Sequence, residues 1–340
     1  MMWVRTNSCL TKQRQSACRY GFSRTCTAEA VPTGTHSTQQ GVALITVLLV
    51  VTLATTAAVA MSSRQHIDIR RTENTLYISQ AAQYLSGVEF WAQQILAKDR
   101  KDNKTDDESE EWATRLPPLP VEGGYVSGYI EDFQGRINLN NLQDKTAGKE
   151  TQARLKRLFA RLEINEELIN TLLDWMDADQ EARFPGGAED GYYLGLQPPY
   201  RAANRILQSS SELMLLKDMT PTQSAKLEPY ISTLPQTTAI NINTASATVL
   251  MTLADDLSDT EIQALIEKRK DKPYTKVEDF LAEKVFAGKT IPAEGLSVSS
   301  NYFMLHAETG IGSLTQYRSS LLERSDKGKI KTLMRSEGVI

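Results

Sequence analysis

The sequence predicts an α+β fold in which one long N-terminal helix leads out of a membrane and packs on an antiparallel sheet, with a large all-α insertion between the strands. Three observations carry this. Val42 to Met61 runs for 20 residues without a charge and ends just before Arg64. Apolar residues then continue at three- and four-residue steps through Ile67, Leu76, Tyr77, Ala81, Tyr84, Leu85, Val88, Trp91, Ala92, Ile95 and Leu96, the period of a helix with one buried face. Strand-like segments at 124–132 and 302–322 bracket a middle that reads as helix.

The apolar run is long enough to cross a bilayer. At about 1.5 Å per residue it spans roughly 30 Å, the thickness of the hydrocarbon core. A secretory signal peptide has an apolar stretch of only about 7–15 residues, closed by a small-x-small cleavage site; here the helical pattern goes straight on. One continuous helix over residues 42–98 would be roughly 85 Å long by the same rise.

The 41 residues ahead of that helix carry Arg5, Lys12, Arg14, Arg19 and Arg24 against Glu29, a charge of +4 in a chain whose total is −4, so the remainder stands at −8. An acidic body cannot displace counterions from a polyphosphate, and nucleic acid is a poor partner for it. All three cysteines (Cys9, Cys18 and Cys26) lie in the same leading segment, and only His66 and His306 lie beyond it. This composition argues against zinc sites, Cys/His nucleophiles and Ser-His-Asp triads. With 340 residues there is room for two folded units beyond the anchor, at about 100–200 residues for a domain.

From Asp99 to Glu111 the chain is highly charged, with Asp102, Asp106, Asp107, Glu108, Glu110 and Glu111, and it reads as a solvated loop closed by Pro117, Pro118 and Pro120. A strand follows at Gly124–Asp132, and near the other end Tyr302–His306 and Ser313–Leu322 alternate around Gly310-Ile311-Gly312 as a hairpin. Residues 99–136 and 296–324 therefore form one helix-plus-sheet unit, 137–295 an inserted α-domain, and 325–340 a C-terminal tail.

The insertion contains a weak internal repeat. Ile137-Asn138-Leu139-Asn140-Asn141-Leu142 is followed by Leu155, Leu158 and Leu162; Ile240-Asn241-Ile242-Asn243-Thr244-Ala245 is followed by Val249, Leu250 and Leu253. Asparagine or threonine caps a helix in each copy, and Ser258 with Glu261 has capping-box spacing for the next helix. The second copy resembles a helix-hairpin-helix of competence-type DNA receptors. Its turn, however, is Ala254-Asp255-Asp256-Leu257, with two carboxylates and no glycine to bring backbone amides to a phosphate. A packing scaffold fits it better than a DNA site.

Between the copies lie Asp174, Asp177, Asp179 and Glu181, then Pro185-Gly186-Gly187, then Glu189 and Asp190. Oxygen ligands gathered around a glycine-rich loop suit a hard cation, and calcium takes about 6–8 of them. This is no EF-hand, because Arg183 stands where further ligands should fall and the invariant glycine is missing. The competing readings are a solvated acidic loop and a pair of catalytic carboxylates; the latter lacks a recognisable sugar-binding aromatic groove.

Gln40-Gly41-Val42-Ala43-Leu44-Ile45-Thr46 resembles the prepilin cleavage site of the type IV pilin superfamily, where the leader is cut after the glycine and the new N-terminus is methylated. That resemblance implies a leader over 1–41, with Gly41 and Val42 as the processing positions. The fifth residue after the cut is Thr46. Most pilins and pseudopilins carry glutamate there, thought to neutralise the terminal amine of the neighbouring subunit inside the membrane. An unpaired carboxylate at that depth is costly. A subunit with no neighbour above it has no amine to pair with, so Thr46 points to a filament tip.

Together with Gly135-Arg136-Ile137-Asn138-Leu139-Asn140, the Asp174–Tyr193 loop, Tyr200-Arg201-Ala202-Ala203-Asn204 and Ile240–Ala245, this junction resembles the minor pseudopilin K (GspK) family of bacterial type II secretion systems over nearly all of residues 41–324. The resemblance implies a pilin-like transmembrane helix and sheet, and an inserted all-α domain with two helix-hairpin-helix or SAM-like repeats. It also implies bound Ca2+. An enzyme would need a convergent catalytic group, and the sequence offers none, so the chain reads as a non-enzyme. The partners implied by the resemblance are minor pseudopilins I and J in a tip complex, minor pseudopilin H below, the prepilin peptidase and the inner-membrane platform. The chain would cross the bacterial inner membrane once, with its C-terminal domain in the periplasm. A minor pilin priming a type IV pilus is the alternative machine.

Overall fold

The computed structural model describes residues 40–338; residues 1–39 of the expected leader lie outside the described residues. Helix α1 spans Gln40–Asp102. Up to His66 its side chains from Val42 onward are exposed, and the mean hydropathy of its most apolar window is 2.5. Thr46, Thr52, Thr55 and Thr56 each donate to a carbonyl three or four residues back, Thr46 Oγ1 to Ala43 O at 2.9 Å. The threonines of this segment thus carry no unmet hydroxyl, as a hydrocarbon environment demands.

From Ala81 onward α1 has one buried face. Leu85, Val88, Ala92, Ile95 and Leu96 pack with Trp112 and with Val126, Ile130, Phe303, Leu305, Ala307 and Leu322. The last six lie on strands β2 (Gly124–Asp132), β7 (Tyr302–Ile311) and β8 (Leu314–Arg324). With β1 (Leu116–Val121) and β9 (Ile330–Glu337) these form an antiparallel sheet in the order β1-β2-β7-β8-β9. Alternate residues of the central strands face α1, the two-residue period of a half-covered sheet.

Three sequence expectations change here. Pro117, Pro118 and Pro120 belong to β1 rather than to a loop; proline has no N–H to give a ladder, and β1 is an edge strand where none is required. The charged stretch after α1 is folded in: Asp106 is fully buried and Asp107 nearly so. The reason is Arg324, itself buried, which reaches both Asp99 and Asp106 and also donates to Ser300 O. Lastly, the segment expected as a tail supplies β9, paired with β8 from Arg318↔Glu337 to Arg324↔Ile330. Glu89 of α1 holds this strand through Arg335 (2.8 and 2.7 Å) and Thr332 (2.7 Å).

The insertion leaves the sheet after β2 and returns at β7. It runs through β3 (Ile137–Asn138), α2 (Ala147–Leu162), α3 (Leu168–Met176), α4 (Asp190–Tyr193), α5 (Pro221–Leu227), β4 (Ile231–Ser232), β5 (Ile240–Asn241), α6 (Ala247–Leu250), α7 (Asp259–Asp271), α8 (Val277–Leu281) and β6 (Leu296–Ser297). Strand β3 pairs parallel with β4, and β5 with β6. One apolar core, including Leu155, Leu158, Ile169, Trp175, Val249, Leu250, Ile262 and Phe280, serves the whole insertion.

The Ile-Asn-x-Asn repeat recurs as geometry. In each copy the first asparagine side chain accepts from the N–H two residues on: Asn138 from Asn140, Asn241 from Asn243. The second reaches across to a distant backbone and both accepts and donates there, Asn140 at Leu207 (2.8 and 2.9 Å) and Asn243 at Tyr274 (2.9 and 2.9 Å). A buried amide that satisfies a remote N–H and C=O together fixes the chain crossing at that point.

Candidate metal centre

Helix α3 ends at Met176, and the residues after it form a loop that doubles back onto the helix. Asn170 Nδ2 donates to Pro185 O (2.9 Å) and Thr171 Oγ1 to Gly186 O (3.1 Å). Gly186 takes φ +88°, open to glycine at little strain. A Cβ on Gly187 would stand 2.2 Å from Asp174 Oδ2 and 2.4 Å from Arg183 O, so only glycine lets the loop close this tightly. Beneath it, Trp175 meets Tyr193 edge-on at 5.1 Å between centroids, and Tyr200 lies 5.3 Å from Tyr193, a rigid aromatic floor.

The structure brings three of the six expected carboxylates to a point. Asp177, Asp179 and Glu189 each offer an oxygen within 4.8 Å of the others. Asp174 lies beside them with both oxygens engaged: Arg183 donates from Nη1 to Oδ1 (2.6 Å) and from its backbone N to Oδ2 (3.0 Å). Asp190 turns away, accepting from Ala202 N at 3.0 Å and facing Arg201. Glu181 is exposed, and its N–H donates to Asp179 Oδ1 at 2.9 Å.

Glu189 is 6% exposed, and among the described residues neither of its carboxylate oxygens has a hydrogen-bond partner; the buried Asp177 Oδ1 has none either. Burial first, then the charges of Asp174, Asp177, Asp179 and Asp190, push the Glu189 carboxyl up to about 7. Leaving a buried carboxylate without donors costs a folded protein several kcal/mol. A cation between these oxygens removes that cost, and an all-oxygen, anionic donor set on a bending loop suits a hard ion of calcium's size. Of the six carboxylates expected as ligands, Asp177, Asp179 and Glu189 have the placement and chemistry to hold such an ion.

A second group, Asp99, Asp106 and Glu110, also converges within 4.8 Å, and sequence reasoning missed it. Its charge is answered internally by Arg324, while Asn103 and Trp112 donate to Glu110. Burial above all pushes Glu110 up to about 8. At the acidic turn of the second repeat, Asp256 takes φ +56° and Asp255 accepts from Arg157 Nε at 2.7 Å.

Comparison with known proteins bears on the whole arrangement. Two models, both described as type II secretion system (T2SS), protein K, match residues 135–236 and 240–299, one on each half of the insertion. Type II secretion system protein K of Pseudomonas aeruginosa is 34% identical over 312 residues, covering 88% of this chain and 93% of that protein. The chain belongs to the type II secretion system protein K family. Its counterpart from Aeromonas hydrophila is 29% identical over 322 residues, 88% of this chain and 97% of that one. A chain in the crystal structure of the GspK-GspI-GspJ complex from enterotoxigenic Escherichia coli superposes with a TM-score of 0.73 at 27% identity, covering 79% of this chain and all of that one. As a protein K, the chain is a minor pseudopilin of type II secretion, a structural component of that system. The apolar first part of α1 fits a single-pass inner-membrane anchor.

Proposed function

We propose that this minor pseudopilin sits at the tip of the pseudopilus and starts its assembly for export of folded proteins across the outer membrane. Prepilin peptidase cuts after Gly41 and Val42 becomes the methylated N-terminus, which leaves Thr46 as the fifth residue. The observation that carries the reading is this threonine. Its hydroxyl is satisfied by Ala43 O, so the chain enters the bilayer with no carboxylate awaiting a neighbour's amine. A subunit of that kind accepts neighbours only from below.

Minor pseudopilins I and J are the immediate partners, in keeping with the solved GspK-GspI-GspJ complex of a relative; H and the inner-membrane platform lie beneath, and the body faces the periplasm. The two asparagine-pinned halves of the insertion are related helix-hairpin-helix units that serve as packing scaffold. Asp177, Asp179 and Glu189 hold calcium, which ties the loop after α3 to the start of α4.

Removing the gene for this chain from its bacterium tests the reading. Folded substrates are expected to accumulate in the periplasm, and surface pseudopili made by overproduced major subunit to fall in number. Undiminished secretion without the chain would overturn it.

A further inference from the structure

We propose that the segment following α1 is a pH-sensitive strap: Asp99, Asp106 and Glu110 keep one proton among them, and its loss as pH rises loosens the seat of the insertion on the helix-plus-sheet frame. The strap, residues 103–111, is tied on both sides. Toward the insertion and its return, Asp106 N donates to Val298 O (2.9 Å), Asp106 O accepts from Asn241 Nδ2 (3.0 Å) and Asp106 Oδ2 from Ser300 N (2.8 Å). Toward the frame, Asp106 meets Arg324 of β8, and Trp112, packed in the core beneath α1, donates to Glu110. Charge placed at this point therefore bears on the joint between insertion and sheet.

Geometry sets the proton. Asp99 at the end of α1, Asp106 and Glu110 offer oxygens within 4.8 Å of one another. The cation facing them is Arg324, which reaches Asp99 (2.7 Å) and Asp106 and makes no ion pair with Glu110 among the described residues. Asp107 adds a negative charge from the strap itself, and Asp132 faces Asp106 across Ser300 from the end of β2. Carboxyls this close, buried or half-buried and short of counter-charge, do not all ionise at neutral pH. Glu110 is the one without a cation. Burial first, then the charges of Asp99, Asp107 and Asp106, push it up to about 8 despite the bond from Trp112. Asp99 moves up as well, from burial first and from Asp106, against Arg324. Because the folded value of Glu110 lies above the ordinary 4.5, the folded chain holds a proton that the unfolded chain releases. The stability tied to it is complete below about pH 4.5 and is lost as pH climbs toward 8.

The test is a pH titration of the full chain in detergent, in chelator and in calcium, with isotope-labelled tryptophans followed by NMR. The indole N–H of Trp112, identified by its absence in Trp112→Phe, reports on Glu110, to which it donates. In wild type its signal should shift with a midpoint at about pH 8. In Glu110→Gln, whose amide stands for the protonated acid, it should stay fixed. The two proteins should melt together at pH 5, and the variant should melt higher at pH 9. Trypsin cleavage after the exposed Lys104 should be equal in both at pH 6 and faster in wild type at pH 9. A Trp112 signal indifferent to pH, or a melting difference that is the same at pH 5 and pH 9, overturns the strap. So does a signal that calcium moves and pH does not, which would give the cluster to a metal.

Discussion

At the scale of single residues, the same physics reads Thr46 and Glu189 in opposite directions. A polar group in an apolar setting must find a partner, and Thr46 finds its own in Ala43 O. Glu189 finds none among the described residues, which is why it points to an ion. Thr46→Glu should therefore impair the subunit: the new carboxylate is expensive in a bilayer unless it finds an amine, and finding one makes the chain behave as an internal subunit. Secretion in the variant strain should drop, and cross-linking should recover the chain below other subunits. Wild-type secretion with an unchanged cross-linking pattern would contradict this. The convergence of Asp177, Asp179 and Glu189 was legible because they fall close together in sequence; that Asp174 and Asp190 are engaged elsewhere was not. The pairing of Arg183 with Asp174 was not: the sequence marked Arg183 only as a break in an EF-hand pattern, and which acid an arginine meets depends on how the loop doubles back.

Among the elements, the long helix was legible from its uncharged run and its three- and four-residue steps. Strand β9 was not. Its polar residues, Lys331, Thr332 and Arg335, hide a strand whose ties are made across the fold to α1 rather than along the chain. Burial raises the Glu89 carboxyl, but hydrogen bonds from Arg335, Thr332 and Ser320 outweigh it and hold the group at about 2. Because the folded value lies below the unfolded one, this tie contributes fully above about pH 4.5 and is lost as pH falls toward 2. Glu89→Gln should destabilise the body at pH 7 by about 2–3 kcal/mol, and the difference from wild type should shrink through that window. Denaturant unfolding at pH 7 and pH 3 measures it; a gap that stays constant with pH would assign the loss to packing. The charged stretch after α1 was misread for a related reason, since its counter-charge, Arg324, lies more than two hundred residues away in sequence.

For the whole molecule, the insertion is joined to the sheet through a buried polar knot. Asp132, at the end of β2, accepts from Asn241 (2.8 Å), Thr244 (2.6 Å) and Ser300 (2.6 Å), and burial pushes its carboxyl up to about 6 against those bonds. Two of its donors come from the second repeat and one from the return to β7, so the knot closes where the insertion leaves and re-enters. The helix-plus-sheet frame and the helical insertion were both legible, because period and turn signals report on local order. The knot was not, because it is made of residues that meet only after the chain has folded. The most direct test of the account is to reconstitute the membrane-extracted chain with the minor pseudopilins I and J of its own bacterium and weigh the product by native mass spectrometry. One copy of each, with no assembly of this chain on itself, is the predicted result. A chain that binds neither partner, or that polymerises alone, would contradict a tip subunit.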